Sequence, residues 1–535
     1  MILYYALTTY HIQCCVLHRL KYRPDEKAVL LLSDIHRNSV AFLERYKNSG
    51  IFDDVILFEE ATINNAVRRR QGKHTPTKQN LRQTVKEVKK ALPFDINSFD
   101  DVYLCPDHFP FGWFIISKHI KYHCFEEGCG VLSNNEFMLS NMKRNKTQYE
   151  LMNILGYFGN NKSCVEILAD EQSQTEGYKN PKMSDFSVKR ILETLSEDEF
   201  KRVFGFFGVS GKVNGKNKSL SLILTQHMAN LGIMSLDNQH KLYTLFADYF
   251  LGDTHITVKP HPDDIAGRYG ELFGDNATVL PFAMPSELLP YCIDGRVKTA
   301  IAANSTAVNS LGGFCDRMIC FDNRILQTFD YLNRYYAVYK LIEIIGKDSS
   351  ISTNADDRIL TELALNDNVS LNINYTEIIS QLDDITIISD NLSEEQSIED
   401  IYTFLTKMPK SECAVFLNEN MRHIYFDGIH KEVFRHIRPI FITETDHSGK
   451  TKEEVIYLYS KNDKTLEKAE NINLLKELKY TGLTIDIHSV SRSESEKIKM
   501  LEGVLEATEK RLNEYIKNKK ELDAEILELK EGKKK

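Results

Sequence analysis

Ala28-Val29-Leu30-Leu31-Leu32-Ser33 is an unbroken apolar run closed by a serine. It is too short for a free-standing helix, and it lacks the polar alternation of a strand with one wet face. It reads as a strand covered on both sides, which is the mark of a parallel sheet. Before it, Ile2 to Leu7 reads as a strand, followed by a turn and a helix carrying Cys15, Val16 and Leu20. After it come a helical stretch from Val40 to Tyr46, a strand from Asp54 to Phe58 and a polar helix from about Lys78 to Ala91. Strands from Asp101 to Leu104 and from Lys121 to Phe125 complete the series. Strands and helices alternating at this spacing predict a doubly wound parallel sheet over residues 1–145.

A second series of the same kind begins at Leu220 to Leu224. It continues with a helix from His240 to Phe250 and strands at Ile256–Lys259 and Thr278–Leu280. A helix from Pro285, strands at Thr299–Ala302 and Met318–Phe321, and a helix from Leu332 to Ile345 close it. The interval 146–217 reads as mostly helical and ends in Gly205, Gly208, Gly211 and Gly215, a linker or hinge. The fold class is therefore α/β: a GT-B-like pair of doubly wound Rossmann-type domains, 1–145 and 218–348, with a ligand cleft between them. Strand-like runs at Ile385–Ile388, Cys413–Phe416, Pro439–Ile442 and Val455–Leu458 predict a small α/β unit over 349–492. In 493–535, Ile498, Leu505, Leu512, Lys519 and Ile526 fall seven apart, as do Leu501, Thr508, Tyr515, Leu522 and Leu529. That spacing predicts a helix able to form a short coiled coil, and through it a homo-oligomer.

Composition narrows the function. A formal net charge of −9 gives no basic footprint for nucleic acid. Ten cysteines occur without a CxxC pair, and neither Cys124/Cys129 nor Cys315/Cys320 has partners at zinc-finger spacing. Buried free thiols in a reducing cytoplasm account for them. No stretch approaches the roughly 18 apolar residues of a membrane span. The apolar N-terminus is interrupted by Thr8, Thr9, Tyr10, His11 and Gln13, which excludes a secretory h-region. A cytoplasmic protein is expected, with peripheral contact at the inner face of the membrane through the basic end Lys530–Lys535 as the furthest excursion.

Candidate chemistry falls at strand ends. Glu126-Glu127-Gly128 follows a strand of the first domain, where one acid in the cleft can deprotonate a hydroxyl; the ordinary alternative is a solvated turn. Lys259-Pro260-His261-Pro262-Asp263-Asp264 holds an imidazole between two prolines, so its backbone is restricted and its ring can serve a departing phosphate. Asn304, Ser305 and Thr306 are placed to open a helix, where they would cap it and could also hold a phosphate. Glu287, at the start of the preceding helix, can accept from ribose hydroxyls or favour the helix terminus.

Taken in order, Glu126-Glu127-Gly128, His261-Pro262 and Ser305-Thr306 resemble the motifs of bacterial sialyltransferases that build lipooligosaccharide caps and capsules. Thr8-Thr9-Tyr10-His11 and Thr225-Gln226-His227 look like loops of the same family, placing Thr9, Tyr10 and His11 on the acceptor side and Thr225 and Gln226 near the donor. The resemblance implies an inverting, metal-independent transfer of sialic acid from CMP-sialic acid to a glycan hydroxyl, with no further cofactor. It implies that His261 assists CMP, that Ser305 and Thr306 hold its phosphate, and that Glu287 holds its ribose. For the base it implies Glu126 or Glu127, or, on the lipooligosaccharide pattern, Asp237. Another capsule or teichoic-acid transferase using CMP-Kdo or CDP-glycerol, and an inactive scaffold of polysaccharide assembly, are the competing readings.

Overall fold

The computed structural model describes residues 1–35, 42–126, 146–170, 181–214, 218–264, 267–282, 284–305, 307, 311–321, 323–326, 329 and 332–345. Beyond these it describes 351–353, 369–370, 385–388, 405–408, 413–416, 436–489, 505, 508–513 and 515–520. The chain divides into two compact units: Met1–Tyr243 with Asp253–Met318, and Thr244–Gly252 with Ile319–Lys535.

The apolar runs become strands because each can be covered on both faces. In the first sheet these are β1 (Ile2–Ala6), β2 (Ala28–Ser33), β3 (Asp54–Phe58), β4 (Asp101–Cys105), β5 (Tyr122–Phe125), β6 (Cys164–Ala169) and β7 (Met183–Asp185). Their spatial order is β3-β2-β1-β4-β5-β6-β7, and the pairings are parallel. Every residue of β1 and β2 is buried. β1 leads into the helix Thr9–Tyr22 through a capping box, in which Thr8 Oγ1 accepts from the His11 N–H and His11 Nδ1 accepts from the Thr8 N–H, both at 3.2 Å.

The region expected to be mostly helical carries the helices Lys146–Leu155, Val188–Glu193 and Glu197–Phe207, and it also contributes β6 and β7. Glu166 inside β6 is satisfied by His123 Nδ1 of β5 at 2.7 Å, so a charged residue is tolerated within a sheet. The glycine-rich stretch is also less free than a hinge. Gly208, at φ +74°, closes the helix Glu197–Phe207. Val213 then exchanges backbone hydrogen bonds with Cys292 and Asp294, each at 2.7 Å; Gly215 lies outside the described residues.

The second sheet contains β8 (Leu220–Leu224), β9 (His255–Lys259), β10 (Ala277–Val279), β11 (Val297–Ala302) and β12 (Cys315–Cys320), in the order β10-β9-β8-β11-β12. In both sheets the order reverses beside the first strand, between β1 and β4 and between β8 and β11. Open α/β sheets bind ligands outside the carboxyl ends of the strands at that reversal. The two doubly wound sheets make the fold a GT-B-like pair of Rossmann-type domains. The helix expected to open at Asn304 runs into residues 306 and 308–310, which lie outside the described residues.

The other unit carries a mixed sheet of eight strands, β13 (Ile351–Thr353), β14 (Val369–Ser370), β15 (Ile385–Ile388), β16 (Cys413–Phe416), β17 (Ile437–Thr445), β18 (Thr451–Ser460), β19 (Asn473–Glu477) and β20 (Thr484–Ser489). The helix Leu332–Ile345, expected to end the second Rossmann domain, packs here against β17, β18 and the helix Asp463–Glu470. Nine cysteines are described and all are free thiols, eight of them buried. No described helix is long and apolar enough to cross a membrane. Leu505, Leu512 and Tyr515 of the predicted seam are exposed.

Candidate functional site

Glu126 leaves the end of β5 with its N–H bonded to Leu168 O at 3.0 Å, which fixes the backbone against β6. Its side chain turns inward and is only 6% exposed. Oε1 accepts from the Tyr10 hydroxyl at 2.7 Å. Oε2 is buried and has no hydrogen-bond partner among the described residues. Burial pushes this carboxyl up to about 7, with Asp170 and Glu287 adding to the rise and the Tyr10 hydrogen bond opposing it. The Tyr10 phenol is itself held well above its ordinary value by burial, so it remains a donor. A carboxylate with a pKa near neutrality and one oxygen without a partner among the described residues is the electrostatic profile of a general base.

Glu287, in the 3-10 turn Ser286–Leu288, belongs to the second Rossmann domain, yet its charge raises both Glu126 and Tyr10 of the first. Burial raises Glu287 as well, and Lys259 opposes that rise. Lys259 is buried at the end of β9, with Nζ donating to Pro260 O at 2.6 Å. Burial lowers its pKa to about 8, against the pull of Glu287. Lys259 was visible in the sequence as part of the histidine turn, but nothing local marked it as a buried cation.

The His261 turn is anchored by a buried hydroxyl and a buried carboxylate. Thr225, just after β8, accepts from the His261 N–H at 3.1 Å and donates to Asp264 Oδ2 at 2.5 Å. Asp264 also accepts from the Tyr269 hydroxyl at 2.5 Å and from Gln239 Nε2 at 2.9 Å. Asp264 is thereby the staple of the turn, a role its position in an Asp-Asp pair did not reveal. The Asp263 N–H donates to His261 Nδ1 at 3.1 Å. A neutral His261 must then carry its proton on Nε2. Pro262 is half-buried in the same turn.

Gln226 Nε2 donates to Asn304 O at 3.0 Å, tying the loop after β8 to the loop after β11. Ser305 Oγ accepts from the Ala307 N–H at 3.3 Å. Thr225 and Gln226, predicted near the donor, therefore make bonds that hold loops. Thr9 is half-buried at the first position of its helix, and the His11 ring serves the capping box. Asp237 is exposed in the first turn of the helix Leu236–Phe246, unlike the buried Glu126. Glu127 and Thr306 lie outside the described residues.

Two solved structures share a distant likeness with this chain. One is the Staphylococcus aureus MnaA–UDP co-structure, 11% identical, with a TM-score of 0.36 over 60% of this chain and 79% of that one. The other is UDP-GlcNAc 2-epimerase from Methanocaldococcus jannaschii, 12% identical, with a TM-score of 0.32 over 61% of this chain and 90% of that one. No family model and no curated protein matches the chain.

Proposed function

We propose that this chain is an inverting glycosyltransferase that moves a sugar from a CMP-activated donor, sialic acid by the motif resemblance, to a hydroxyl of a glycan acceptor. The observation that carries the reading is Glu126: buried, with a pKa of about 7, and with Oε2 unpaired among the described residues. In this reading Oε2 takes the proton of the acceptor hydroxyl as that oxygen attacks the anomeric carbon. The bond from that carbon to the phosphate oxygen breaks, and its electron pair leaves with CMP. His261 meets the new charge through Nε2–H, the tautomer favoured by the Asp263 N–H on Nδ1. Ser305 and Thr306 are proposed to contact the phosphate and Glu287 the ribose, following the motif resemblance. Exposure of Asp237 favours Glu126 as the base.

Leaving-group charge is thus assigned to protein donors, and turnover is expected to survive EDTA. The reading places the enzyme in capsule or lipooligosaccharide assembly at the cytoplasmic side of the membrane. A donor panel tests it: CMP-sialic acid, CMP-Kdo, CDP-glycerol and UDP-GlcNAc, with product release followed by chromatography. Turnover of CMP-sialic acid alone supports the proposal. Turnover of CDP-glycerol, or epimerisation of UDP-GlcNAc, replaces it, and binding without turnover supports a scaffold.

A further inference from the structure

His227, in the loop after β8, stacks on His261 with ring centroids 4.1 Å apart and planes 25° apart. Each of His227, His261 and Asp263 offers one ligand atom, and these atoms lie within 4.8 Å of one another. All three residues are half-buried, so an ion could enter from solvent. The Asp263 N–H engages His261 Nδ1 at 3.1 Å, so the ligating nitrogen assigned to that ring is Nε2. His227 Nδ1 is buried and has no hydrogen-bond partner among the described residues. A buried nitrogen without a partner costs free energy, and a metal ion would satisfy it.

The donor set is two imidazole nitrogens and one carboxylate oxygen. Such a set suits zinc and its borderline neighbours, whereas magnesium and calcium take mainly oxygen ligands. Zinc holds nitrogen at about 2.0–2.1 Å, so the ligand atoms must draw closer together than in the stacked arrangement. Rotation of the His227 imidazole about χ2, a soft torsion, turns its lone pair out of the stack, while the Asp263 N–H holds the His261 ring. The bonds of Thr225 and Asp264 hold the backbone of the turn while the His227 ring moves.

We propose that His227, His261 and Asp263 form a binding site for a zinc-type divalent ion, and that the bound ion inhibits the enzyme. Binding follows from the side-chain cluster alone. Inhibition rests on the reading of His261 as the group that meets the leaving phosphate: Nε2 cannot carry a proton for CMP and ligate a metal at once. Water or solvent would complete the coordination, leaving an ion where the leaving group must depart. The ion is therefore an off-switch, and EDTA-treated protein is the active form.

The full-length chain, freed of metal by EDTA and dialysis, is titrated with Zn2+ by calorimetry and with Co2+ by visible absorption. One equivalent is expected to bind, with a tetrahedral cobalt spectrum, and Mg2+ is not expected to compete. His227→Ala and Asp263→Asn, each checked for folding by circular dichroism, should weaken binding at least about tenfold. Zinc should suppress donor turnover of the wild type, and the remaining turnover of His227→Ala should be insensitive to it. Non-saturable binding, or affinity unchanged in both variants, overturns the site. Activity that is lost with EDTA and restored by zinc overturns the inhibitory role. If no nucleotide sugar is turned over at all, the titrations still decide the site, because they do not depend on catalysis.

Discussion

The Tyr10 hydroxyl donates to Glu126 Oε1 at 2.7 Å, joining the helix after β1 to the end of β5 across the sheet reversal. The bond orients the carboxylate and leaves Oε2 for another group. It also opposes the rise that burial imposes on the carboxyl, so the base retains useful ionisation near neutrality.

Turnover should therefore rise with pH through an apparent pKa of about 7, because the ionised carboxylate is the working form. Glu126→Gln should lower kcat at least about 100-fold and remove this limb. Tyr10→Phe removes a hydrogen bond that lowers the pKa, so the limb should move to higher pH. The same shift has a stability sign. A carboxyl whose folded pKa is raised contributes stability that is full below its ordinary 4.5 and is lost as pH rises through about 7. Glu126→Gln should thus melt at a higher temperature than wild type at pH 8, and the gain should vanish at pH 4. A pH-independent rate profile, or a variant less stable at pH 8, would count against Glu126 as the base.

His261→Ala should retain the fold and lose at least about 100-fold in kcat. Thr225→Val removes the hydroxyl that accepts from the His261 N–H and donates to Asp264. Its expected cost is about 1–3 kcal/mol of stability, from buried polar groups left with fewer partners. Its activity loss should be smaller than that of His261→Ala. Turnover of His261→Ala near the wild-type value removes this imidazole from the mechanism.

Gly112 lies in the buried helix Pro110–Ser117, and a Cβ placed there would sit 2.1 Å from the Asp107 carbonyl oxygen. Asp107 cannot yield easily. Its carboxylate accepts from the Phe158 and Gly159 N–H groups at 2.9 and 3.0 Å and from the Tyr122 hydroxyl at 2.8 Å. Gly112→Ala should therefore destabilise the first Rossmann domain by about 1–3 kcal/mol or more, read from denaturant unfolding. An unchanged midpoint would mean that the backbone gives way at no cost.

Deletion of residues 494–535 should leave transfer intact and change the assembly state. On the described part of this segment, Leu505, Leu512 and Tyr515 are exposed at heptad-compatible positions, and a lone helix of this kind is marginal in water. Light scattering of the full-length and truncated chains at micromolar concentration provides the check. If both are monomers, the seam is not a subunit interface.

The strands β2, β3 and β8 were legible in the sequence to their end residues, because their apolar runs need cover on both faces wherever the chain places them. The strands read at β5, β9 and β11 put Glu126, His261 and Asn304 at or just past strand ends, and strand-end position is a local property. β6 and β7 were not legible. β6 carries Glu166, whose partner His123 is supplied by the neighbouring strand, and β7 is a three-residue strand without an apolar run. Only the folded chain decides that Tyr10 meets a carboxylate 116 positions away, or that Thr225 and Asp264, 39 apart, tie down one histidine turn. A sequence names the titratable group, whereas burial and neighbouring charge set its pKa, and both arise when distant segments close around it.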